Sequence, residues 1–222
     1  MNLFDRVFSA VLFDMDGTLV SSIAAVERSW QRLADEYGVP KSRLGVYHGI
    51  PAKQLIDRLL PDADQATKSQ ALERIIELET LDTEGIEILP GASEALAHLT
   101  PANACAIVTS CSDGLASARL GVTDFELPNV IVTADDVAIG KPDPAPYVLG
   151  AQKMNVPASE CLVIEDAPAG LESGRNAGAA TLAVATTHEA HELTADVVVG
   201  DLAEVRFEAT EAGVIVHRAG RR

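Results

Sequence analysis

Two hydrophobic rhythms divide the chain. Residues 9–13 end in an apolar run, Val11-Leu12-Phe13, with the length and character of a buried strand. Residues 22–37 then switch to helical spacing. Ile23, Val26, Trp30, Leu33, Ala34 and Tyr37 fall on one face, and Gly38 and Pro40 are stop signals. Residues 51–60 open with Pro51 at a first-turn position and carry Ala52, Leu55, Ile56, Leu59 and Leu60. A third helix is expected from Pro61-Asp62, with Ala66, Leu72, Ile75, Ile76 and Glu79 along it. Three successive helices without a strand predict a helical block over 21–86.

After Leu89-Pro90-Gly91 the rhythm changes. Helices are predicted near 92–99, 113–120, 144–154 and 169–177. They alternate with short apolar strands at 104–109, 130–133, 161–165 and 180–185, and a further strand follows at 196–199. That alternation indicates βαβ units and a parallel sheet. The fold class is therefore α/β: a Rossmann-like parallel sheet flanked by helices, with an α-helical cap inserted after the first strand. The expected division is a core of residues 1–20 and 87–222 and a cap of 21–86. The insertion point puts the cap at the carboxyl end of the sheet, where open α/β folds bind ligands. The last ~20 residues, with Val214-Ile215-Val216, are expected to add an edge strand and a frayed tail.

Composition narrows the partners. The 222 residues are 47% hydrophobic, enough for a substantial core, and carry a formal net charge of −16. Such acidity argues against nucleic acid or an anionic membrane. It leaves room for a small phosphorylated metabolite if the site supplies local positive charge. No apolar stretch approaches the ~18–20 residues of a membrane span. Residues 1–6 lack a signal peptide's pattern. Cys105, Cys111 and Cys161 are odd in number and widely spaced, and read as free thiols. These features together predict a cytoplasmic protein, expected as a monomer or weak dimer.

The candidate chemistry sits at strand ends. Phe13-Asp14-Met15-Asp16-Gly17-Thr18-Leu19 closes the first strand with two carboxylates one residue apart. On a strand, side chains at i and i+2 point the same way, so Asp14 and Asp16 can converge on one site. One carboxylate suits nucleophilic attack or metal binding, and the other can move a proton. Thr109-Ser110 offers a hydroxyl and a backbone N–H where the second strand ends, ahead of a helix start at Ser112-Asp113. Gly140-Lys141-Pro142-Asp143-Pro144 holds an ammonium on a proline-restricted loop. A fixed cation there offsets repulsion between a carboxylate nucleophile and a phosphate. Glu165-Asp166-Ala167-Pro168-Ala169-Gly170 ends another strand in paired carboxylates, a donor type that suits Mg²⁺. Each segment by itself is equally compatible with helix capping or solvated charge.

In this order, the four segments resemble the four motifs of the haloacid dehalogenase-like superfamily of phosphatases and phosphotransferases. Val26-Glu27-Arg28-Ser29-Trp30, His48-Gly49, Thr83-Glu84-Gly85-Ile86, Leu89-Pro90-Gly91-Ala92 and Gly150-Ala151-Gln152 are similar to its small sugar and glycerol phosphatases. The resemblance implies a Mg²⁺-dependent phosphatase acting on phosphomonoesters of small sugars or polyols. It implies Asp14 as nucleophile, forming an aspartyl phosphate, and Asp16 as the acid and base. Thr109 and Ser110 are implied to bind the phosphoryl oxygens, and Lys141 to neutralise charge. Asp14, the Asp16 carbonyl and Asp166 are implied metal ligands, with Glu165 bonding to a water on the metal.

Departures matter as well. Relatives usually read Leu-Val-Asp-Ser after the first motif, and here the chain reads Leu19-Val20-Ser21-Ser22, expected to cap a helix. Lys53 stands near where glycerol phosphatases carry an arginine, and Cys111 stands where relatives often have glycine and is expected to be a small filler. Sugar phosphomutases such as β-phosphoglucomutase place a histidine shortly after the first motif, and residues 18–30 contain none. Dehalogenases lack the second aspartate. A phosphoglycolate phosphatase fits the motifs equally well, and a non-catalytic binding protein is disfavoured because every motif residue is present. His188 and His191, at i and i+3, lack zinc-protease spacing. Trp30 is expected to pack in the cap core, whereas His48 suits a turn or a substrate contact equally.

Overall fold

The computed structural model describes residues 3–40, 43–44 and 52–220. His48-Gly49 and the helix start at Pro51 lie outside the described residues. The strands are β1 (Val7–Phe8), β2 (Ala10–Phe13), β3 (Val20–Ser21), β4 (Glu87–Ile88), β5 (Cys105–Val108), β6 (Ile131–Val132), β7 (Cys161–Glu165), β8 (Ala180–Val184), β9 (Val197–Val199), β10 (Val205–Thr210) and β11 (Gly213–Arg218). The helices are α1 (Ile23–Glu36), α2 (Ala52–Leu59), α3 (Gln65–Leu81), α4 (Ala92–Leu99), α5 (Asp113–Leu120), α6 (Ala145–Lys153) and α7 (Pro168–Asn176).

Six strands form a parallel sheet in the order β6-β5-β2-β7-β8-β9. The first of them in sequence, β2, lies between β5 and β7. The chain builds outward from β2 through β5 to β6, then returns to β7 on the other side. This reversal of strand order opens a crevice at the carboxyl ends, and three of the four candidate motifs sit directly there.

Alternation along the central strands sends successive residues to opposite faces. Val11, Phe13, Ile107, Leu162 and Ile164 join one core layer. Ala10, Leu12, Ala106, Val108 and Val163 join the other, beneath α6. Both faces are covered, which explains why these strands read as continuous apolar runs.

The inserted helices have their own core. Trp30, Leu33, Ala34, Leu55, Ile56, Leu59, Ala71, Ile75 and Leu78 pack together. Helix α3 packs on α1 and α2 and also reaches α5 in the sheet layer. The polypeptide leaves and re-enters the sheet layer side by side, because β3 and β4 pair antiparallel, Val20 with Ile88 and Ser21 with Glu87.

Three local expectations are corrected. Helix α3 starts at Gln65, not Pro61-Asp62, because the Asp64 side chain accepts the Thr67 N–H at 2.8 Å and caps it. Ala66 is consequently exposed, and Ala71 takes the inner position. Val214-Ile215-Val216 does not extend the parallel sheet. It belongs to β11, the middle of a separate antiparallel sheet ordered β1-β11-β10. This sheet packs Val214, Val216 and Phe207 into the main core, with Phe207 edge-on to Phe13 at 5.8 Å between ring centres. No helix among the described residues is long and apolar enough to cross a membrane.

The cap core predicts a local sensitivity. Ile75 is fully buried in it, and Ile75→Ala should destabilise by about 2–4 kcal/mol. Trp30 is the single tryptophan of the chain and sits in the same cluster. Its emission should therefore red-shift at a lower urea concentration in the variant. An unchanged midpoint would contradict the packing described.

Candidate active site

The Lys141 ammonium is the centre of the site. Its Nζ lies 2.6 Å from Asp14 Oδ1 and 2.7 Å from Glu165 Oε1, and it also donates to the Val108 carbonyl at 2.9 Å. Lys141 comes from the loop before α6, Asp14 from the end of β2 and Glu165 from the end of β7. The lysine thus joins adjacent strand ends. Tyr147, on α6, fixes the pair further. Its hydroxyl donates to Glu165 Oε1 at 2.9 Å, and its ring lies 5.0 Å from Nζ.

Glycine makes two close approaches possible. Gly17 has φ +88°, and a Cβ there would stand 2.1 Å from Asp166 Oδ2. A Cβ at Gly170 would stand 1.7 Å from Glu165 Oε1. Any side chain at either position displaces a carboxylate of the site. This is a physical reason for the glycines of the first and fourth motifs.

Asp14, Glu165 and Asp166 are all buried, and their carboxylate oxygens lie within 4.8 Å of one another. Burial, then the Glu165 charge, pushes the Asp14 carboxyl up to about 7, with Lys141 opposing the shift. Burial likewise raises Asp166 well above the usual carboxylate range, helped by Glu165 and Asp14. Burial opposes the charge on Lys141, but Asp14 and Glu165 outweigh it and hold the ammonium more firmly protonated. Three buried carboxylates against one ammonium leave an excess of negative charge. All-oxygen donors with that excess fit a divalent cation.

Asp16 is held apart from this cluster. Its Oδ1 accepts the Ser22 hydroxyl at 2.7 Å and pairs with Arg119 Nη1 at 2.8 Å, while its Oδ2 accepts the Cys111 thiol at 3.1 Å. Ser22 stands at the N-cap of α1 but makes no side-chain cap bond, and Ser21 ends β3. The capping expectation for that segment is therefore corrected: the hydroxyl serves Asp16. Cys111 is more than a filler for the same reason. Burial and then the Asp16 charge raise its thiol well above the usual range, which keeps it the proton donor. All three cysteines are free.

Thr109 is buried at the end of β5, where its Oγ1 accepts the Cys111 N–H at 3.1 Å, leaving the hydroxyl proton to donate elsewhere. Ser110 is exposed and lines a cavity of about 440 Å³ between the sheet and the inserted helices. Asp16, Gly17 and Asp166 line its floor, and Val26, Trp30, Leu55, Ile75 and Ile76 form an apolar wall. Lys53 is exposed and does not line it.

Comparison with known proteins gives this geometry a family. A model of haloacid dehalogenase-like hydrolases matches residues 8–178. The chain belongs to the haloacid dehalogenase-like hydrolases. It is 38% identical to hexitol phosphatase A of Escherichia coli (strain K12), over 92% of this chain and 96% of the relative. It is 34% identical to 2-deoxyglucose-6-phosphate phosphatase 1 of Saccharomyces cerevisiae, covering 92% and 93%. A hydrolase from Pseudomonas syringae has a similar structure, with TM-score 0.76 and 27% identity over 88% of this chain and 94% of that one.

For a haloacid dehalogenase-like hydrolase, several residues here escape motif reading. Arg119, Glu79 and Tyr147 reach the site from the end turns of helices, and Thr187 donates to Asp166 from the loop after β8. Tyr147 and Arg119 occur at buried helix positions where an apolar side chain would be unremarkable, so spacing carries no signal for them. His188 Nδ1 lies 3.0 Å from Thr187 Oγ1, and thereby neighbours the acidic cluster.

Titration of the fold follows from the Asp14 shift. A carboxyl raised in the folded state favours the protonated fold. Its contribution is present below the unfolded value of 3.8 and is lost as pH rises through about 7. In EDTA, Asp14→Asn should remove this penalty, on the order of a few kcal/mol. The melting temperature of the variant relative to wild type should rise between pH 5 and 8. A constant difference across that range would contradict the placement of Asp14.

Proposed function

We propose that this protein is a Mg²⁺-dependent phosphatase that hydrolyses phosphomonoesters of small sugars or polyols through an aspartyl-phosphate intermediate. The observation that carries the reading is the Lys141 bridge between Asp14 and Glu165, with Asp16 held separately by its own partners on the floor of the neighbouring cavity. The extended similarity to hexitol and deoxyglucose phosphate phosphatases supports the substrate class. Residues 1–20 and 87–222 act as the catalytic core and 21–86 as the cap.

Each residue then has a role. An Asp14 oxygen attacks phosphorus as the bond from phosphorus to the substrate oxygen breaks. Asp16 gives a proton to the departing alcohol. The same carboxylate next takes a proton from water, which attacks the aspartyl phosphate and releases inorganic phosphate and free Asp14. Thr109 binds a phosphoryl oxygen with its hydroxyl and Ser110 with its backbone N–H. Lys141 offsets the repulsion between Asp14 and the incoming dianion. Its bonds to Glu165 and Val108 keep it in place when Asp14 turns to phosphorus.

Asp14, the Asp16 carbonyl and Asp166 would hold the cation, which supplies positive charge to the phosphoryl oxygens. Glu165 serves this site by anchoring Lys141. Mutase chemistry is disfavoured because residues 18–30, just after the first motif, contain no histidine. Ser22, Cys111 and Arg119 are the groups that restrain Asp16.

A screen of phosphorylated metabolites with phosphate release as readout should show hexitol, hexose or glycerol phosphates turned over. Asp14→Asn should lower kcat/KM by about three orders of magnitude or more, equivalent to about 4 kcal/mol of transition-state stabilisation. Chelation should stop the reaction and added Mg²⁺ restore it. Turnover by Asp14→Asn, or unchanged rates in excess EDTA, would overturn the reading.

A further inference from the structure

The inserted helices place one charged side chain over the reaction centre whose partners lie in both layers of the protein. Glu79, on α3, accepts from Arg119 Nη2 at 2.8 Å. Arg119, on α5 of the sheet layer, is 4% exposed, and its other terminal nitrogen pairs with Asp16 at 2.8 Å. The Trp30 indole, on α1, also hydrogen-bonds to Glu79. A continuous chain thus runs from the inserted helices to the proposed acid: Trp30, Glu79, Arg119, Asp16. None of these contacts is needed to hold the phosphate.

Among the described residues lining the cavity, Arg119 is the single cation, and both of its terminal nitrogens are already engaged by carboxylates. Glu79, Asp16 and Asp135 supply negative charge around the same space. An ionised carboxylate has about four acceptor positions. Arg119 and Trp30 occupy two of those on Glu79 and fix its orientation, so the rest remain to accept from a ligand. The apolar wall of Val26, Leu55, Ile75 and Ile76 offers no competing donors.

We propose that Glu79, oriented by Arg119 and Trp30, is the specificity-determining residue for the leaving group. It accepts hydroxyl groups of a neutral polyhydroxylated alcohol and rejects a leaving group that carries its own carboxylate. Because Arg119 grips both Glu79 and Asp16, occupancy of this subsite also positions the acid that protonates the same leaving group. An anionic leaving group finds Glu79 and Asp16 ahead of it and no uncommitted described cation to meet it. The inference rests on the proposed phosphatase reading and sharpens it against phosphoglycolate hydrolysis, which the motifs permit equally.

The test compares sorbitol 6-phosphate with phosphoglycolate in wild type and Glu79→Gln. Wild type should prefer the hexitol phosphate. In Glu79→Gln the ratio of the two kcat/KM values should fall about ten- to a hundred-fold, the range expected for losing hydrogen bonds to a charged group. A merely structural role lowers both values together, and an unchanged ratio overturns the proposal. A second measurement avoids altering Glu79. With Asp14→Asn, which binds without turnover, Trp30 emission should respond to sorbitol 6-phosphate and stay with phosphoglycolate where inorganic phosphate leaves it. Equal responses to both esters overturn the proposal. If wild type hydrolyses phosphoglycolate and no sugar or polyol phosphate, the functional reading itself falls. If it hydrolyses polyol phosphates but the Glu79→Gln ratio does not move, only the present inference falls.

Discussion

A single ammonium makes the catalytic end of this molecule possible. Asp14, Glu165 and Asp166 are brought together by the ends of β2 and β7, which are neighbours in the sheet. Without a cation, burial of three carboxylates in that space would be strongly unfavourable. Lys141 reaches Asp14 and Glu165 at once and satisfies its third proton on the Val108 carbonyl. The cluster remains short of positive charge even so; burial raises the Asp14 and Asp166 carboxyls, and the neighbouring carboxylates add to the shift. Stability is thereby given up at a place poised to receive a divalent cation and a phosphate.

The second carboxylate of the first motif lives under different rules. Asp16 is two residues from Asp14, yet its oxygens are taken by Ser22, Cys111 and Arg119. The separation matters to the proposed mechanism, in which Asp14 attacks and Asp16 moves a proton. Different partners give them different environments. Arg119 then extends the environment of Asp16 to the inserted helices through Glu79. The two layers meet over the site through a charged contact as well as an apolar wall.

Much of this was legible because motifs at strand ends have short, local causes. Asp14, Thr109, Glu165 and Asp166 each follow an apolar run, Lys141 precedes a proline-restricted loop, and topology brings successive strand ends together. Gly17 and Gly170 were visible as motif letters, though not as spaces that Asp166 and Glu165 fill. Arg119 was not legible. It stands in the last turn of a short helix, where a basic residue ordinarily complements the helix dipole in solvent. Only the arrival of α3 over α5 buries it against Glu79. The C-terminal strands were misplaced for a related reason. An apolar triplet shows that a strand is buried on one side, but not which sheet it joins, and β1 was too short to be seen as its partner.

The sequence by itself determined the α/β class, the inserted helices and the identities of the groups that end the central strands. Periodicity and motif order are properties of neighbouring residues, and they survive without coordinates. The tertiary structure decided which groups touch. It placed Lys141 on Asp14 and Glu165, gave Asp16 its own partners, and joined Glu79 to Arg119 across two layers. The contacts of Lys141 with Asp14 and Glu165, and of Glu79 with Arg119, span 24 to 127 residues of chain. Hydrogen bonds and ion pairs act over a few ångströms, so separations of that kind carry no trace in local sequence until the fold closes them.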